Sequence, residues 1–318
     1  MMGSEVSSRR QFITRASRLL LAPAAIGAVG GVLLDADEAA AVTLSGVSGT
    51  VSAYDGGLNL RSGPSADRRV IKWLPNGTKL SILQTSSDWF KVTAAGKTGW
   101  VNSWYVILSG TKSTVITRGN TAYKRVALTF DAGSDLGYTE KIIMLLEKYG
   151  IRASFGITGD WIKVHSDYAA WIVADGHQLL NHTLNHPSYT GLSTGGGAIS
   201  PARRLAQIQA NEDLLRSLTG AGSKPYWRPP YGDYDSGVLR DVGSLGYSRT
   251  VLWTVDSMGW NGYSADQIYS RVINNSGNGA IVLMHVGSDS QDANALERII
   301  RKFQANGYGF GTVSKVIA

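Results

Sequence analysis

The stretch Val126-Ala127-Leu128-Thr129-Phe130-Asp131 decides how the rest of the chain is read. Its first five residues carry no charge and show no alternation, the pattern of a strand buried on both faces, and the run ends abruptly on a carboxylate. The segments that follow repeat the theme. Thr139 to Tyr149 reads as a helix with Ile142, Leu145, Leu146 and Tyr149 on one face and Gly150 as its stop. Ala153 to Ile157 is the next strand. Ser200 caps a helix that has Pro201 at its first position, an inner face of Leu205, Ile208, Leu215 and Leu218, and Gly220 beyond its end. Thr250 to Val255 and Ala280 to Met284 are further strands, with helices at about 264–274 and 292–305. Strands alternating with helices predict parallel pairing and an α/β architecture.

In a closed parallel barrel all strands share one direction, so polar residues at their C-terminal ends meet on one face. Three apolar runs end this way: Phe130 into Asp131, Val255 into Asp256, and Met284 into His285. Each alone reads equally as a cap or a hydrogen-bonded structural group; together they mark a site. A fourth cluster, His182-Thr183-Leu184-Asn185-His186, follows Leu180 and holds two of the five histidines. On a helical turn, imidazoles at i and i+4 share a face and can grip one metal ion. Surface or supporting roles remain open for such a pair by itself. In Trp227-Arg228-Pro229-Pro230-Tyr231-Gly232 the prolines remove donors, so amides from Tyr231 onward can face a site, and Arg228 can hold a carboxylate. The same run also reads as a rigid turn.

Upstream, residues 45–108 show short alternating runs separated by Ser62-Gly63-Pro64, Pro75-Asn76-Gly77 and Ala95-Gly96-Lys97, which predict a small all-β barrel of tight hairpins. Trp89 and Trp100 are expected in its core. Leu58-Asn59-Leu60-Arg61-Ser62-Gly63-Pro64-Ser65 and Gly96-Lys97-Thr98-Gly99-Trp100-Val101 resemble the bacterial SH3-type domain. The resemblance implies a non-catalytic module that docks on cell-wall peptide or glycan; a plain spacer is the alternative. Residues 109–121 read as a polar linker.

Residues 1–41 read as an export signal. Arg9-Arg10 precedes Phe12-Ile13, an apolar stretch runs from Leu19 to Leu34, and small residues follow at Ala39-Ala40-Ala41, similar to the twin-arginine type. A membrane anchor is the alternative, although the stretch barely suffices to span a bilayer. Those residues balance four arginines against four acids, so the remainder keeps the whole net charge of +7. A basic exported protein suits an anionic envelope, and no dense Lys/Arg cluster points to nucleic acid. With no cysteine in the 318 residues, disulfides, thiolate ligands and cysteine nucleophiles are excluded.

Thr129-Phe130-Asp131-x-Gly133, His182-Thr183-x-x-His186, Arg228-Pro229-Pro230-Tyr231, the Asp256 to Trp260 segment and Leu283-x-His285 resemble the five ordered motifs of the NodB-type polysaccharide deacetylases, over residues 122–318. The resemblance implies a distorted (β/α) barrel that removes N-acetyl groups, sometimes O-acetyl groups, from polysaccharides with a divalent metal. Zinc suits the donors, and cobalt, nickel and manganese also fit them. It implies His182 and His186 as metal ligands, Asp131 as general base held ionised by Arg228, the Tyr231 amide as an oxyanion donor, and His285 as general acid. Two departures stand out. Where the family carries a second, metal-binding acid, this chain has Ala132, and Asp135 is the expected replacement ligand. Where it carries a carboxylate before the fourth-motif Trp, this chain has Gly259, and Asp256 is the expected partner of His285. Exported peptidoglycan or chitin-like N-deacetylation is the leading expectation. An O-acetyl esterase acting on xylan and a weakened carbohydrate-binding protein are the alternatives.

Overall fold

The computed structural model describes residues 41–318, so the expected export signal lies outside the described residues except for its last position. Seven strands, β1 (Val42–Val51), β2 (Gly57–Arg61), β3 (Val70–Pro75), β4 (Lys79–Ser86), β5 (Trp89–Ala94), β6 (Lys97–Asn102) and β7 (Val106–Leu108), form one antiparallel sheet. Their order is β3-β2-β6-β5-β4-β1-β7. Ala95 and Gly96 join β5 to β6 with φ of 47° and 74°, the left-handed pair that a two-residue hairpin turn requires. Alternation along β5 buries Phe90 and Val92 and turns Trp89 and Lys91 outward. On β6, Val101 enters the core and Trp100 faces out. The expectation that Trp89 and Trp100 fill this core is therefore corrected: strand parity gives the core to their neighbours.

The remaining strands are β8 (Thr114–Ile116), β9 (Arg125–Ala132), β10 (Ser154–Ile157), β11 (Gln178–Asn181), β12 (Tyr226–Trp227), β13 (Arg249–Val251), β14 (Val255–Asp256), β15 (Ile281–His285) and β16 (Gly309–Phe310). They run in the order β14-β15-β9-β10-β11-β12-β13-β8, with β16 beside β9. Every pairing between them is parallel. The interleaved helices are α1 (Thr139–Lys148), α2 (Gly159–Val164), α3 (Ser166–Ala174), α4 (Pro201–Thr219), α5 (Ser236–Ser244), α6 (Ala265–Asn275), α7 (Asp292–Ala305) and α8 (Val313–Ile317). Val126, Leu128, Phe130 and Ala132 of β9 pack with Ile142 and Leu146 of α1 and Leu296 and Ile300 of α7. Ala127 points the other way, into a separate cluster with Leu180, Val251 and Ile281. Thr129 and Asp131 continue that inner row by the two-residue period.

Two expectations need correction here. Residues 114–116, read as linker, are strand β8 paired with β13. The single strand expected over Thr250–Val255 is broken into β13 and β14. The break crosses between the two margins of the sheet: Leu252 N donates to Ile116 O at 2.8 Å and Thr254 N to Ile281 O at 2.8 Å. Thr254 Oγ1 donates to Thr117 O at 2.6 Å and accepts from Ile281 N at 3.1 Å. A three-residue crossing stitches the ends together and makes the distorted barrel.

Helix α4 begins and ends as expected, with Ser200 Oγ accepting from Arg203 N and Gly220 left-handed at φ 73°. Leu218, placed on its inner face from sequence, is instead 41% exposed. Ala202, Leu205 and Ile208 of α4 share one buried cluster with Leu80, Ile82, Val106 and Leu108 of the antiparallel sheet. Ala202 N donates to Ser103 Oγ at 3.3 Å, and Arg203 pairs with Asp88 at 3.0 Å. No helix among the described residues is long and apolar enough to cross a membrane.

Candidate active site

Asp131 sits at the inner end of β9, between Gly156 of β10 and His285 of β15 in the sheet register. A Cβ on Gly156 would collide with Asp131 Oδ1, so this glycine is required by the space the carboxylate occupies. Arg228 follows β12 and is wholly buried. Its Nη1 donates to Asp131 Oδ1 at 2.7 Å, its Nη2 to Thr129 Oγ1 at 2.9 Å and its Nε to Val251 O at 3.2 Å. Thr129 Oγ1 in turn donates a hydrogen bond to Val282 O at 2.8 Å. A buried charge this well paired is held in place rather than expelled. Burial pushes the Asp131 carboxyl pKa up, but the charge and hydrogen bond of Arg228 hold it below the usual carboxylate range.

The two histidines meet, with ring centroids 4.8 Å apart, but residues 182–186 do not form the expected helical turn. Thr183 and His186 have φ of 68° and 61°, which no right-handed helix allows. Side chains shape the loop instead. Thr183 N donates to Asn181 Oδ1 at 3.0 Å, Leu184 N and Asn185 N both donate to Gln207 Oε1 of α4 at 3.1 Å, and His186 N donates to Thr183 Oγ1 at 3.1 Å. Tyr231 (φ 58°) and Met258 (φ 64°) add two more left-handed residues near the strand ends. Such backbone costs energy and persists where the surroundings over-determine it.

Burial keeps both imidazoles neutral. The His186 pKa is pushed down to about 3 by burial and then by His182, and that of His182 is lowered by burial against the pull of Asp131. His182 Nδ1 lies 3.0 Å from Arg228 O. A carbonyl can only accept, so Nδ1 carries the proton and Nε2 presents a lone pair. That nitrogen faces Asp131 Oδ2 at 3.4 Å. Two acceptors facing each other in a buried site suit a cation nearby, and the adjoining rings of His182 and His186 would supply two positions of a divalent metal's shell.

The third protein ligand is not assembled. Among the described residues no group of three His, Asp or Glu side chains is placed to hold a metal. Asp135, the expected replacement, is exposed. Its Oδ1 accepts from Ser288 N at 3.0 Å, and the hydrogen bonds from Ser288 hold its pKa below the usual value. Ala132 ends β9 with its methyl in the helix-side core, on the opposite face from Asp131.

His285 Nδ1 is buried and faces Asp292 Oδ2 at 3.9 Å, while His285 N donates to the same oxygen at 2.8 Å. Asp256, the expected partner, is committed elsewhere: Oδ1 accepts from Met258 N at 2.8 Å and Oδ2 from Trp260 Nε1 at 3.0 Å. The two-residue strand β14 turns at once, and Asp256 caps that turn. Tyr231 is 51% exposed and lies edge-on to His186, centroids 4.7 Å apart. The amides of Gly232 and Asp233 are tied back to Pro229 O and Pro230 O, which leaves the Tyr231 amide outside that turn's bonding. Residues not picked out from sequence are Thr129 as a guanidinium acceptor, Gly156, Asp292, and Trp253, whose ring lies 6.0 Å from Arg228 Cζ. Asp292 gave only the signal of an acid in a helix's first turn.

A polysaccharide deacetylase family model matches residues 118–250 and a bacterial SH3 domain model matches residues 56–107. The peptidoglycan-N-acetylmuramic acid deacetylase PdaA of Bacillus subtilis is 31% identical over 207 residues, 63% of this chain and 73% of the relative. The chain belongs to the polysaccharide deacetylase family. This deacetylase-family chain is also 31% identical over 204 residues to the uncharacterized protein YlxY of Bacillus subtilis, covering 64% of itself and 60% of that relative. Its fold matches a crystal structure of BA3943, a CE4 family pseudoenzyme from Bacillus anthracis, with TM-score 0.59 and 26% identity over 65% of this chain and 70% of that one. Membership and the mixed α/β fold with its separate antiparallel sheet bear out the resemblance. The family's peptidoglycan N-deacetylases are hydrolases acting on carbon–nitrogen bonds, and its deacetylases are generally metal-dependent.

Proposed function

We propose that this chain is an exported, metal-dependent N-deacetylase of peptidoglycan. The observation that carries the reading is the buried Arg228–Asp131–His182 set, with His285 in register across the same strand ends. A divalent metal on His182 and His186, most simply zinc, would supply a polarised acetyl carbonyl and an acidified water. Asp131, held by Arg228 through Oδ1, keeps Oδ2 to accept the proton of the attacking water. The Tyr231 amide donates to the oxyanion as the carbonyl carbon becomes tetrahedral. His285 gives a proton to the departing nitrogen, so amide and water become a free amino sugar and acetate. The exposed rings of Tyr231 and Trp260 offer faces on which a pyranose can lie. In the SH3-type sheet Trp73, Arg61, Trp100 and Lys91 lie on the outward side of neighbouring strands and suit an anionic wall polymer.

Ala132 favours a second reading, a glycan-binding protein with weakened turnover. Acetate release from peptidoglycan, chitooligosaccharides and acetylated xylan, each with and without chelator, separates the readings. Release from peptidoglycan that chelator abolishes and zinc restores is expected. Chelator-insensitive release would remove the metal from the mechanism. Xylan-specific release would make the chain an esterase, and glycan binding without release would favour the second reading.

A further inference from the structure

His285 can act as a proton donor at Nε2 only if Nδ1 is oriented by an acceptor, and the deacetylase reading on which this inference rests requires such an acceptor. We propose that Asp292 is the positioning carboxylate of His285, delivered from the first turn of α7 into the space that a side chain at position 259 would fill. Asp292 is fully buried, and its Oδ2 accepts from His285 N at 2.8 Å and from Ser290 Oγ at 2.8 Å, so the carboxylate is fixed before the imidazole uses it. His285 Nδ1 is buried without a hydrogen-bond partner, and the nearest carboxylate oxygen is Asp292 Oδ2 at 3.9 Å. A small rotation of the ring closes that gap, as hydrogen bonds in unliganded sites commonly tighten on substrate binding.

Gly259 supplies the complementary half. Its φ lies outside the left-handed region, so the backbone does not demand glycine there. Space does. A Cβ at 259 would collide with Ser290 Oγ and stand 2.6 Å from Asp292 Oδ2 and 2.9 Å from Asp292 Cγ. One volume beside His285 accepts a carboxylate from position 259 or from position 292, but not from both. Asp256 is engaged instead in its own turn, where Met258 N and Trp260 Nε1 donate to its two oxygens.

The test moves the carboxylate. Asp292→Asn and the double variant Asp292→Ser/Gly259→Asp are compared with the full wild-type chain by steady-state acetate release. A second readout is the imidazole ¹⁵N spectrum, with His285 assigned through His285→Gln. Asp292→Asn is expected to lower kcat about 100-fold with KM changed less than about twofold, the size of a misdirected general acid. The double variant is expected to recover kcat to within about tenfold of wild type, since the charge returns to the same volume. The wild-type and double-variant spectra should show the Nδ1-protonated tautomer, lost in Asp292→Asn. Full kcat and an unchanged tautomer in Asp292→Asn would overturn the assignment. If that variant does not fold, a folded double variant without the Nδ1-protonated tautomer would overturn it equally. If the wild type releases no acetate from any glycan, the deacetylase reading fails while the ¹⁵N spectra still decide the role of Asp292.

Discussion

Asp131 occupies its place because three neighbours give way to it: Arg228 supplies charge, Thr129 an acceptor for the second guanidinium nitrogen, and Gly156 an empty volume. Gly156→Ala adds one methyl where no backbone strain is involved, and it drives the methyl into Asp131 Oδ1. We expect activity to fall at least about tenfold, since misplacement by about 1 Å costs far more than one methyl's volume suggests. Thermal stability should fall by only about 1–3 kcal/mol, the usual cost of overpacking. Acetate release and a melting curve measured side by side check this, and unchanged activity in a destabilised protein would refute it. At this scale Asp131 and His285 were legible because apolar strands ran straight into them, and Arg228 because two prolines after it marked a fixed turn beside a permanent charge. Asp292 was not, because an acid in a helix's first turn usually serves the helix. The His182–His186 spacing anticipated that the two rings would meet, but not the local structure: four residues also bring two rings together across a left-handed bend.

Among the elements, the strand–helix alternation was readable from apolar runs and caps such as Ser200 and Gly220. The seam at Leu252–Thr254 was not, since Thr250 to Val255 is β-prone throughout and nothing local marks where pairing changes partner. The short β8 was hidden for a related reason: three residues carry no period until β13 lies beside them. Thr254 holds the seam with one hydroxyl that serves both margins. Thr254→Val keeps the shape, frees Thr117 O, and leaves the Ile281 amide without that partner. The expected loss is about 1–3 kcal/mol, the cost of an unmet buried donor. Urea unfolding measures it, and a loss below about 0.5 kcal/mol would show that the seam is held by other means.

For the whole molecule, acid is the expected weakness. His177 is buried, its Nδ1 accepts from Ala153 N at 3.1 Å, and burial followed by the charge of Arg152 pushes its pKa down to about 4. The unfolded imidazole titrates near its ordinary value of about 6.5. Above that pH both states are neutral and the contribution is fully present. Below it the unfolded chain takes a proton that the native one refuses, so stability drains away as pH falls toward 4, by up to about 1.4 kcal/mol per pH unit for one such group. His186 acts in the same direction. His177→Gln should flatten the fall in urea midpoint between pH 7 and pH 5; parallel curves for variant and wild type would contradict the assignment. The division into an SH3-type sheet and a deacetylase barrel was readable from composition and turns. Their shared core was not, because Ala202, Leu205 and Ile208 look like any inward helix face until the partner is known. That shared core has a mechanical consequence. A binding module on a slack tether lets its catalytic partner roam, whereas one fused through common packing acts as a ruler. If, as proposed, the outer face around Trp100 holds a wall strand and the barrel deacetylates it, that strand would meet Asp131 at a set offset, and the spacing of modified sugars along the polymer would be written into the junction between the two sheets.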